Sequence, residues 1–114
     1  MNYNKPPYKP GTIVKEIELT EQARLVRVYD GVNSPQQGGW FMRAEDIAGL
    51  TPAQIQNKFA LPATPKYVTD VILKSGTRLE MGVANEAFGF DGGGIQFDSM
   101  GVWVDGFVNP RPLI

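Results

Sequence analysis

Apolar and polar residues alternate along several stretches of this chain, and the alternation predicts short β-strands. Ala23–Tyr29 alternates most clearly, with Leu25 on one face and Val26 and Val28 on the other. Tyr67–Leu73 is rich in β-branched and aromatic residues, which also favours a strand. Further strands are predicted at 12–18, 77–83, 95–97 and 102–104, and a short apolar segment at 40–42.

One short helix is predicted from its capping residues. Thr51 suits the N-cap, Pro52 suits the first helical position, and Gln54 can complete a capping box. Ile55 and Phe59 lie four positions apart and would share a buried face. About six short strands with one or two short helices indicate an α+β domain built on a small, strongly bent, mostly antiparallel sheet.

Both ends of the chain contain closely spaced prolines. Residues 1–11 are predicted to form a proline-rich tether, followed by a single domain over 12–114. The tail 109–114 carries two prolines, which excludes it from a helix or a central strand. The polar start shows no signal-peptide pattern, and we expect a module detached from a larger polypeptide.

The glycine triplet Gly92–Gly94 leads directly into the predicted strand that carries Gln96. Glycine loses more conformational entropy than other residues on folding and has no side chain to pack, so a triplet beside a strand is costly. Such a triplet fits a place where the backbone turns with positive φ and leaves room for a bound molecule. A plain hairpin loop is the alternative interpretation.

Composition excludes several kinds of chemistry. The chain has no cysteine and no histidine, which excludes disulfides, thiolate or histidine metal sites, and serine–histidine or cysteine–histidine catalysis. No carboxylate spacing typical of a calcium loop is present, so no metal is expected. The net charge of −1 gives no electrostatic signature of tight nucleic-acid binding, and no apolar run is long enough to span a membrane.

Several short motifs, taken in order, resemble those of the C-terminal toxin modules of bacterial polymorphic toxins. The closest pattern is that of NAD glycohydrolases of the tuberculosis necrotizing toxin type, with a looser similarity to the ADP-ribosyltransferase superfamily. The resemblance covers residues 11–97, and the family's arginine before Ala-Leu-Pro is Phe59 here. The corresponding motifs are Arg27-Val28-Tyr29-Asp30-Gly31, Gly39-Trp40, Phe59-Ala60-Leu61-Pro62, Gly76-Thr77, and Phe88-Gly89 through Gln96.

The resemblance implies an ADP-ribosyltransferase-like fold and an effector toxin that cleaves NAD at its nicotinamide–ribose bond. This reaction passes through an oxocarbenium-like state and releases a neutral base, so it needs neither a metal nor a histidine. The ADP-ribose would pass to water or to a macromolecule, with a translation component as a candidate target.

Candidate residues for this chemistry lie on the predicted strands. Arg27 is the candidate for the phosphates, because guanidinium forms bidentate contacts with phosphate oxygens, and Arg24 on the opposite face is the fallback. Gln96 is the candidate ribose contact, and Asp98 shares its strand face. This Gln-x-acid spacing is similar to the catalytic motif of ADP-ribosyltransferases, in which Asp98 would stabilise the cation.

Other residues are weaker candidates for the same site. Glu80 is a further candidate acid, and Glu86 and Asp91 beside the glycine triplet are substitutes for Asp98. The remaining candidates would contact NAD through a ring, a hydroxyl or the backbone: Tyr29, Trp40, Phe88, Gly93 and Gly94. Each of these side chains has a plain structural alternative, as core, loop or solvated surface.

Two other functions stay open at this point. A histidine-free ribonuclease acting on tRNA or rRNA would use a basic face made of Lys58, Lys66, Lys74 and Arg78. A non-enzymatic binding module is the third hypothesis. The toxin hypothesis also predicts a monomer with a cognate immunity protein. It predicts delivery into a target bacterium's cytoplasm as the C-terminal part of a larger Rhs or contact-dependent inhibition protein.

Overall fold

Two antiparallel sheets and one helix make up the computed structural model, which describes residues 7–113. The first sheet has the strand order β1-β5-β6-β3 and the second has the order β2-β4-β7. A 3₁₀ turn spans Ala44–Asp46 and the helix α1 spans Pro52–Phe59. The strands are β1 (Lys15–Glu18), β2 (Ala23–Tyr29), β3 (Trp40–Phe41), β4 (Tyr67–Leu73), β5 (Arg78–Val83), β6 (Ile95–Asp98) and β7 (Phe107–Pro112).

The two sheets pack face to face around an inter-sheet core. The second sheet contributes Leu25 and Val71 to this core, and the first contributes Phe41, Leu79 and Phe97. The opposite face of the second sheet carries a helix-side core, where α1 packs on β2 and β4. Its buried members are Val26, Val28, Met42, Ile55, Phe59 and Val68. Both faces of β2 are therefore covered, which explains why apolar residues occupy both faces of its alternation.

An isolated backbone bridge joins the two sheets. Val26 of β2 and Met42, directly after β3, each donate a backbone hydrogen bond to the other at 2.9 Å. Trp40 and Phe41 of β3 thus pair with β6, and Met42, the next residue, pairs with Val26 of β2. The predicted mostly antiparallel α+β architecture is confirmed, with the strands divided between two sheets.

The helix begins and ends as its sequence predicts. Thr51 accepts a hydrogen bond from the backbone of Gln54, whose side chain accepts one from the Thr51 amide, so the capping box is complete. Ile55 and Phe59 are both buried against the second sheet. The helix stops at Ala60, which adopts a left-handed conformation with φ of 51°.

Two sequence predictions need correction. The first strand starts at Lys15 instead of position 12. Residues 102–104 form no strand, and Val102 and Trp103 are exposed. The strand forms later, at Phe107–Pro112, where the prolines are tolerated because β7 is an edge strand beside β4.

The predicted tether 1–11 behaves differently over its described part. Residues 1–6 lie outside the described residues, but Tyr8 pairs with Ala84 and is buried. The Lys9 amide donates to the Val83 carbonyl at 2.8 Å. Residues 7–9 therefore pair with the end of β5, on the same side as β1. Burial of the Tyr8 ring stabilises this pairing and outweighs the conformational entropy expected of a proline-rich segment. The division at residue 11 stays a prediction.

Candidate functional site

A cavity of about 420 Å³ opens at one end of the two sheets and brings together residues from distant parts of the sequence. Its volume lies in the range of small-molecule sites. Its polar lining consists of Arg27, Asp30, Asn33, Ser34, Asn85 and Gln96. Its apolar lining includes the aromatic residues Tyr29, Trp40, Phe41 and Phe59 and the prolines Pro7, Pro62 and Pro65.

Arg27 supplies the only basic side chain among the described residues that line this cavity. It lies on the inner face of β2 opposite Thr69, and only 8% of its surface is exposed. Its Nε and Nη2 atoms donate to the Pro35 carbonyl at 3.2 Å each, and Nη1 donates to the Trp40 carbonyl at 3.4 Å. Guanidinium has five N–H donors, so both terminal nitrogens keep capacity for a ligand.

The Arg27 guanidinium has carbonyl partners but no carboxylate partner among residues 7–113. Burial lowers its pKa from the ordinary arginine value. Arginine nevertheless stays protonated in proteins. A buried cation without a counter-ion is costly, and the cost falls when an anion enters the site.

Gly38 holds the guanidinium in place by leaving room for it. A Cβ atom at Gly38 would lie 2.5 Å from Nη2 and closer still to Cζ of Arg27. The loop that carries Gly38 follows a tight turn at 30–34, which Asp30 organises. The Asp30 carboxylate accepts hydrogen bonds from the backbone amides of Val32, Asn33 and Ser34 and from the side chains of Asn33 and Ser34.

These hydrogen bonds, above all the one from the Ser34 amide, hold the pKa of Asp30 well below its usual range. Asp30 is thus charged at neutral pH, and its carboxylate is fully engaged in the turn. It lines the cavity, but its oxygens are already occupied by the turn, so it is poorly suited to act as a general acid or base.

Gln96 lies on β6 between Ile95 and Phe97, which face the inter-sheet core. Its side chain points to the other face, is 9% exposed, and donates from Nε2 to the Pro7 carbonyl at 3.0 Å. A carbonyl can only accept, so this contact fixes which end of the amide is the donor. The Gln96 Oε1 atom accepts no hydrogen bond among the described residues.

The structure brings some of the predicted site residues together and separates others. Arg27, Tyr29, Trp40 and Gln96 all line the same cavity. The predicted sharing of one strand face by Gln96 and Asp98 is confirmed by their pairing with Gly82 and Glu80 of β5. Whether these residues contact a substrate stays a prediction.

The predicted acids lie outside this cavity. Asp98 lines a second, more open hollow of about 330 Å³ beside Trp103, and its Oδ1 accepts from the Met100 amide at 2.9 Å. Glu80 lies across from Asp98 on the first sheet and lines neither hollow. The two carboxylates share the face of Gln96, but the cavity lies toward the other end of β6.

The glycine triplet and Phe88 also line neither hollow. Gly92 and Gly93 have positive φ, as predicted, but at Gly92 and Gly94 the space that a Cβ would take is filled by the protein itself. A Cβ at Gly94 would lie 2.6 Å from Cε1 of Phe59, and the Gly94 amide donates to the Lys58 carbonyl at 2.9 Å. The triplet therefore docks the chain on α1, where we expected it to make room for a ligand.

The fallback residues are placed elsewhere. Arg24 is exposed near the start of β2, on the same strand face as Val26 and Val28. Glu86 is exposed in the loop before the triplet. Asp91 exchanges hydrogen bonds with the side chain of Asn57 on α1. None of the three lines the cavity.

Sequence reasoning missed Gly38, Asp30, Asn85 and Pro7 as site residues. The Gly38-Gly39 pair was visible in the sequence, but nothing local indicated that a strand arginine would lie against it. The Asp-Gly-x-Asn-Ser composition of the turn was also visible, and it is typical of a turn built around an aspartate side chain. The Pro7 contact depends on pairing across most of the chain and has no local signal.

The predicted basic face does not form one patch of uncommitted cations. Arg78 pairs with Glu16 and Glu18 at 3.3 Å each, on an exposed surface. Lys58 donates to the Asp46 carbonyl at 2.7 Å. Among the described residues, no cluster of three or more aspartate, glutamate, histidine or cysteine side chains is arranged to hold a metal ion. No helix within residues 7–113 has the length and apolar character needed to cross a membrane.

Comparison with protein-family models and with curated proteins gives no match. Among solved structures, the chain is similar to Tne2, which was solved in complex with Tni2. The TM-score is 0.75 at 17% sequence identity, over 93% of this chain and 97% of that one. At this identity the similarity establishes a shared fold over nearly the whole length of both chains.

Proposed function

We propose that this chain is an effector toxin that cleaves NAD at the bond between nicotinamide and ribose. The observation that carries the proposal is the cavity itself. It combines a buried guanidinium that has no carboxylate partner among residues 7–113 with a buried amide, inside a largely apolar, aromatic wall. NAD offers the matching groups: a diphosphate, a ribose and a flat aromatic base.

Arg27 is assigned to the diphosphate of NAD. Its carbonyl contacts and Gly38 fix the guanidinium before the substrate arrives, so little ordering is required on binding. Phosphate oxygens would accept from the terminal nitrogens and supply the negative charge that no carboxylate of residues 7–113 supplies to Arg27. Trp40, which is 37% exposed at the cavity, is assigned to stack on an aromatic base of the substrate.

Gln96 is assigned to the ribose next to the bond that breaks. Its Oε1 atom would accept a hydrogen bond from a ribose hydroxyl and hold the sugar while positive charge develops at C1′. The C1′–N1 bond breaks, its electron pair moves to the ring nitrogen, and nicotinamide leaves as a neutral molecule. An incoming nucleophile then bonds to C1′ and loses its proton to solvent.

No carboxylate is assigned to a direct contact with the sugar. Asp98 and Glu80 would act from the Gln96 face of the sheet through their negative charge, which is weaker at a distance and in water. The nucleophile is water in a glycohydrolase and a macromolecular side chain or base in an ADP-ribosyltransferase. A component of the translation machinery is the proposed macromolecular target.

The proposed biological setting is competition between bacteria. In this setting the chain acts in the cytoplasm of a target cell, as the C-terminal part of a larger delivered protein. Its producer is protected by a cognate immunity protein. The similarity of fold to a protein solved in complex with a second protein supports a protein partner.

Incubation of the purified chain with NAD, followed by chromatography, tests the proposal. We expect release of nicotinamide, and a Gln96→Ala variant should lose most of this activity while keeping its fold. Gln37→Ala, at an exposed glutamine on the loop before β3, is the matched control and should stay active.

Two results would contradict the proposal. One is the absence of nicotinamide release both with and without bacterial lysate as a source of acceptor. The other is fragmentation of tRNA by the same preparation without any loss of NAD, which would favour a ribonuclease.

A further inference from the structure

The segment Pro7–Lys9 pairs with the end of β5 and the residues after it, beside the cavity, and we call it the N-terminal arm. The Pro7 carbonyl accepts two hydrogen bonds, from Nε2 of Gln96 at 3.0 Å and from the Asn85 amide at 3.1 Å. Pro7 also lines the cavity. The arm therefore contacts the side chain that the proposed function assigns to the ribose.

Tyr8 anchors the arm on the sheet. Only 8% of its surface is exposed, and its ring lies over Gly82, where a Cβ atom would approach Cδ1 of the ring to 2.5 Å. Gly82 is the β5 partner of Gln96, so the ring sits directly beside the glutamine's strand position. The Tyr8 hydroxyl donates to the Glu80 carbonyl at 3.4 Å.

The same ring reaches the other wall of the cavity. The centroids of the Tyr8 and Trp40 rings are 6.0 Å apart, and the Trp40 carbonyl accepts from the Arg27 guanidinium. Pro7 of the arm thus contacts Gln96, and the Tyr8 ring contacts Trp40, whose carbonyl binds Arg27 on the other side of the cavity.

Burial raises the pKa of Tyr8, with further contributions from the negative charges of Asp98 and Glu80, so the ring hydroxyl stays neutral over the physiological range.

We infer that the N-terminal arm is a positioning element of the site, in which the Pro7 carbonyl orients the Gln96 amide so that its Oε1 atom faces the substrate. A free glutamine amide can rotate and present either end. The Pro7 carbonyl can pair only with the NH₂ end, which leaves the oxygen as the group offered to a ribose hydroxyl. The part of this inference that concerns the ribose rests on the proposed function.

The first experiment compares Tyr8→Ala with Tyr8→Phe in the full chain. Tyr8→Ala removes the anchoring ring and should release the arm, whereas Tyr8→Phe keeps the ring and loses only one long hydrogen bond. We expect kcat for NAD cleavage to fall about tenfold in Tyr8→Ala, the size associated with one lost hydrogen bond. KM should change by less than about twofold because the Arg27 contacts to phosphate stay in place. Tyr8→Phe should behave like the parent chain.

A second variant covers the case in which Tyr8→Ala does not fold. Gly82→Ala would press against the Tyr8 ring and displace it while leaving the arm sequence intact. The second readout is the NMR signal of the Gln96 side-chain amide. Its protons should exchange slowly with solvent in the parent chain and in Tyr8→Phe, and rapidly in whichever of Tyr8→Ala and Gly82→Ala folds.

The two readouts separate failure of this inference from failure of the proposed function. If the parent chain cleaves NAD but the folded variants keep their kcat and a protected Gln96 amide, the arm does not position Gln96. If the parent chain does not cleave NAD, the proposed function fails, and amide exchange alone decides whether the arm orients the glutamine.

Discussion

Gly38 and Gly94 are both glycines because a neighbouring side chain comes too close for a Cβ atom, but the neighbours differ. At Gly38 the neighbour is the Arg27 guanidinium, a charged group at the wall of the cavity. At Gly94 it is the Phe59 ring, with the Lys58 stem beside it, both on α1. The glycine pair before β3 therefore shapes the candidate site, whereas the glycine triplet before β6 attaches a loop to the helix.

The comparison separates two meanings of a glycine-rich motif. Such a motif indicates that the backbone approaches something closely, but it does not indicate what is approached. The triplet is the more conspicuous of the two in the sequence, yet its close neighbours belong to the packed fold. The shorter pair lies beside a buried guanidinium that has no carboxylate partner among residues 7–113, and a perturbed ionisable group in a cleft is a sign of a binding site.

The largest effect is expected from Gly38→Ala. The added methyl group would force the Arg27 guanidinium away from its two carbonyl partners and out of line with a phosphate. A displacement of about 1 Å at a binding group can cost roughly a hundredfold in rate, and we expect kcat/KM for NAD to fall by about that factor. Thermal unfolding should show a moderate loss of stability, because the buried guanidinium loses hydrogen bonds to two carbonyl groups.

Gly39→Ala is the matched control for that variant. Its added methyl group would meet the Ser99 hydroxyl at 2.9 Å instead of Arg27. It should keep most of the NAD activity. If the two variants lost activity equally, the loss would come from a disturbed loop, and the role given to the guanidinium would have to be abandoned.

A smaller effect, and one on stability, is expected from Gly94→Ala. The position is buried, and the methyl group would overlap the Phe59 ring in the helix-side core. Overpacking of this kind typically costs about 1–3 kcal/mol. Chemical denaturation should show the loss as a lower midpoint with an unchanged slope.

Gly93→Ala sharpens the comparison within the triplet. No atom of residues 7–113 lies within 4 Å of a Cβ atom there, but φ is +98°, so the cost is backbone strain of about 1 kcal/mol and not a clash. A Gly94→Ala variant that stayed as stable as the parent but lost NAD activity would mean that the triplet shapes the cavity, through the Phe59 ring that lines it.

Local signals predicted much of the fold. The alternation at Ala23–Tyr29 and Tyr67–Leu73 and the capping box at Thr51 depend on neighbours in sequence, and all three are confirmed. The predicted strand at 102–104 is wrong because a strand needs a partner. The open edge of β4 is instead paired by Phe107–Pro112.

The candidate site could be predicted only in part for a related reason. Strand alternation correctly placed Gln96 and Asp98 on one face, but it does not tell how far along β6 the cavity extends. The cavity is lined by Gln96 but ends before Asp98. Likewise the contacts of Arg27 with Gly38 and of Gln96 with Pro7 depend on loops and pairings that no local pattern encodes.

The smallest effect at neutral pH is expected from Asp30→Asn in the turn before Gly38. The amide oxygen can still accept from the backbone amides, so the turn should form, but the negative charge is lost. The pKa of Asp30 is lower in the folded chain than its ordinary value of about 3.9, so unfolding takes up a proton at acidic pH. The stability that the carboxylate contributes is complete above that value and is lost as the pH falls below it.

Thermal unfolding at a series of pH values tests this directly. The parent chain should be more stable than Asp30→Asn at pH 7, and the difference should shrink as the pH falls below about 4. Asp105→Asn is the control, because Asp105 is exposed and forms no hydrogen bond among the described residues. A difference between parent and Asp30→Asn that stayed constant down to pH 2 would mean that the turn depends on shape alone. The charged anchor of the site-forming loop would then have no advantage over a neutral one.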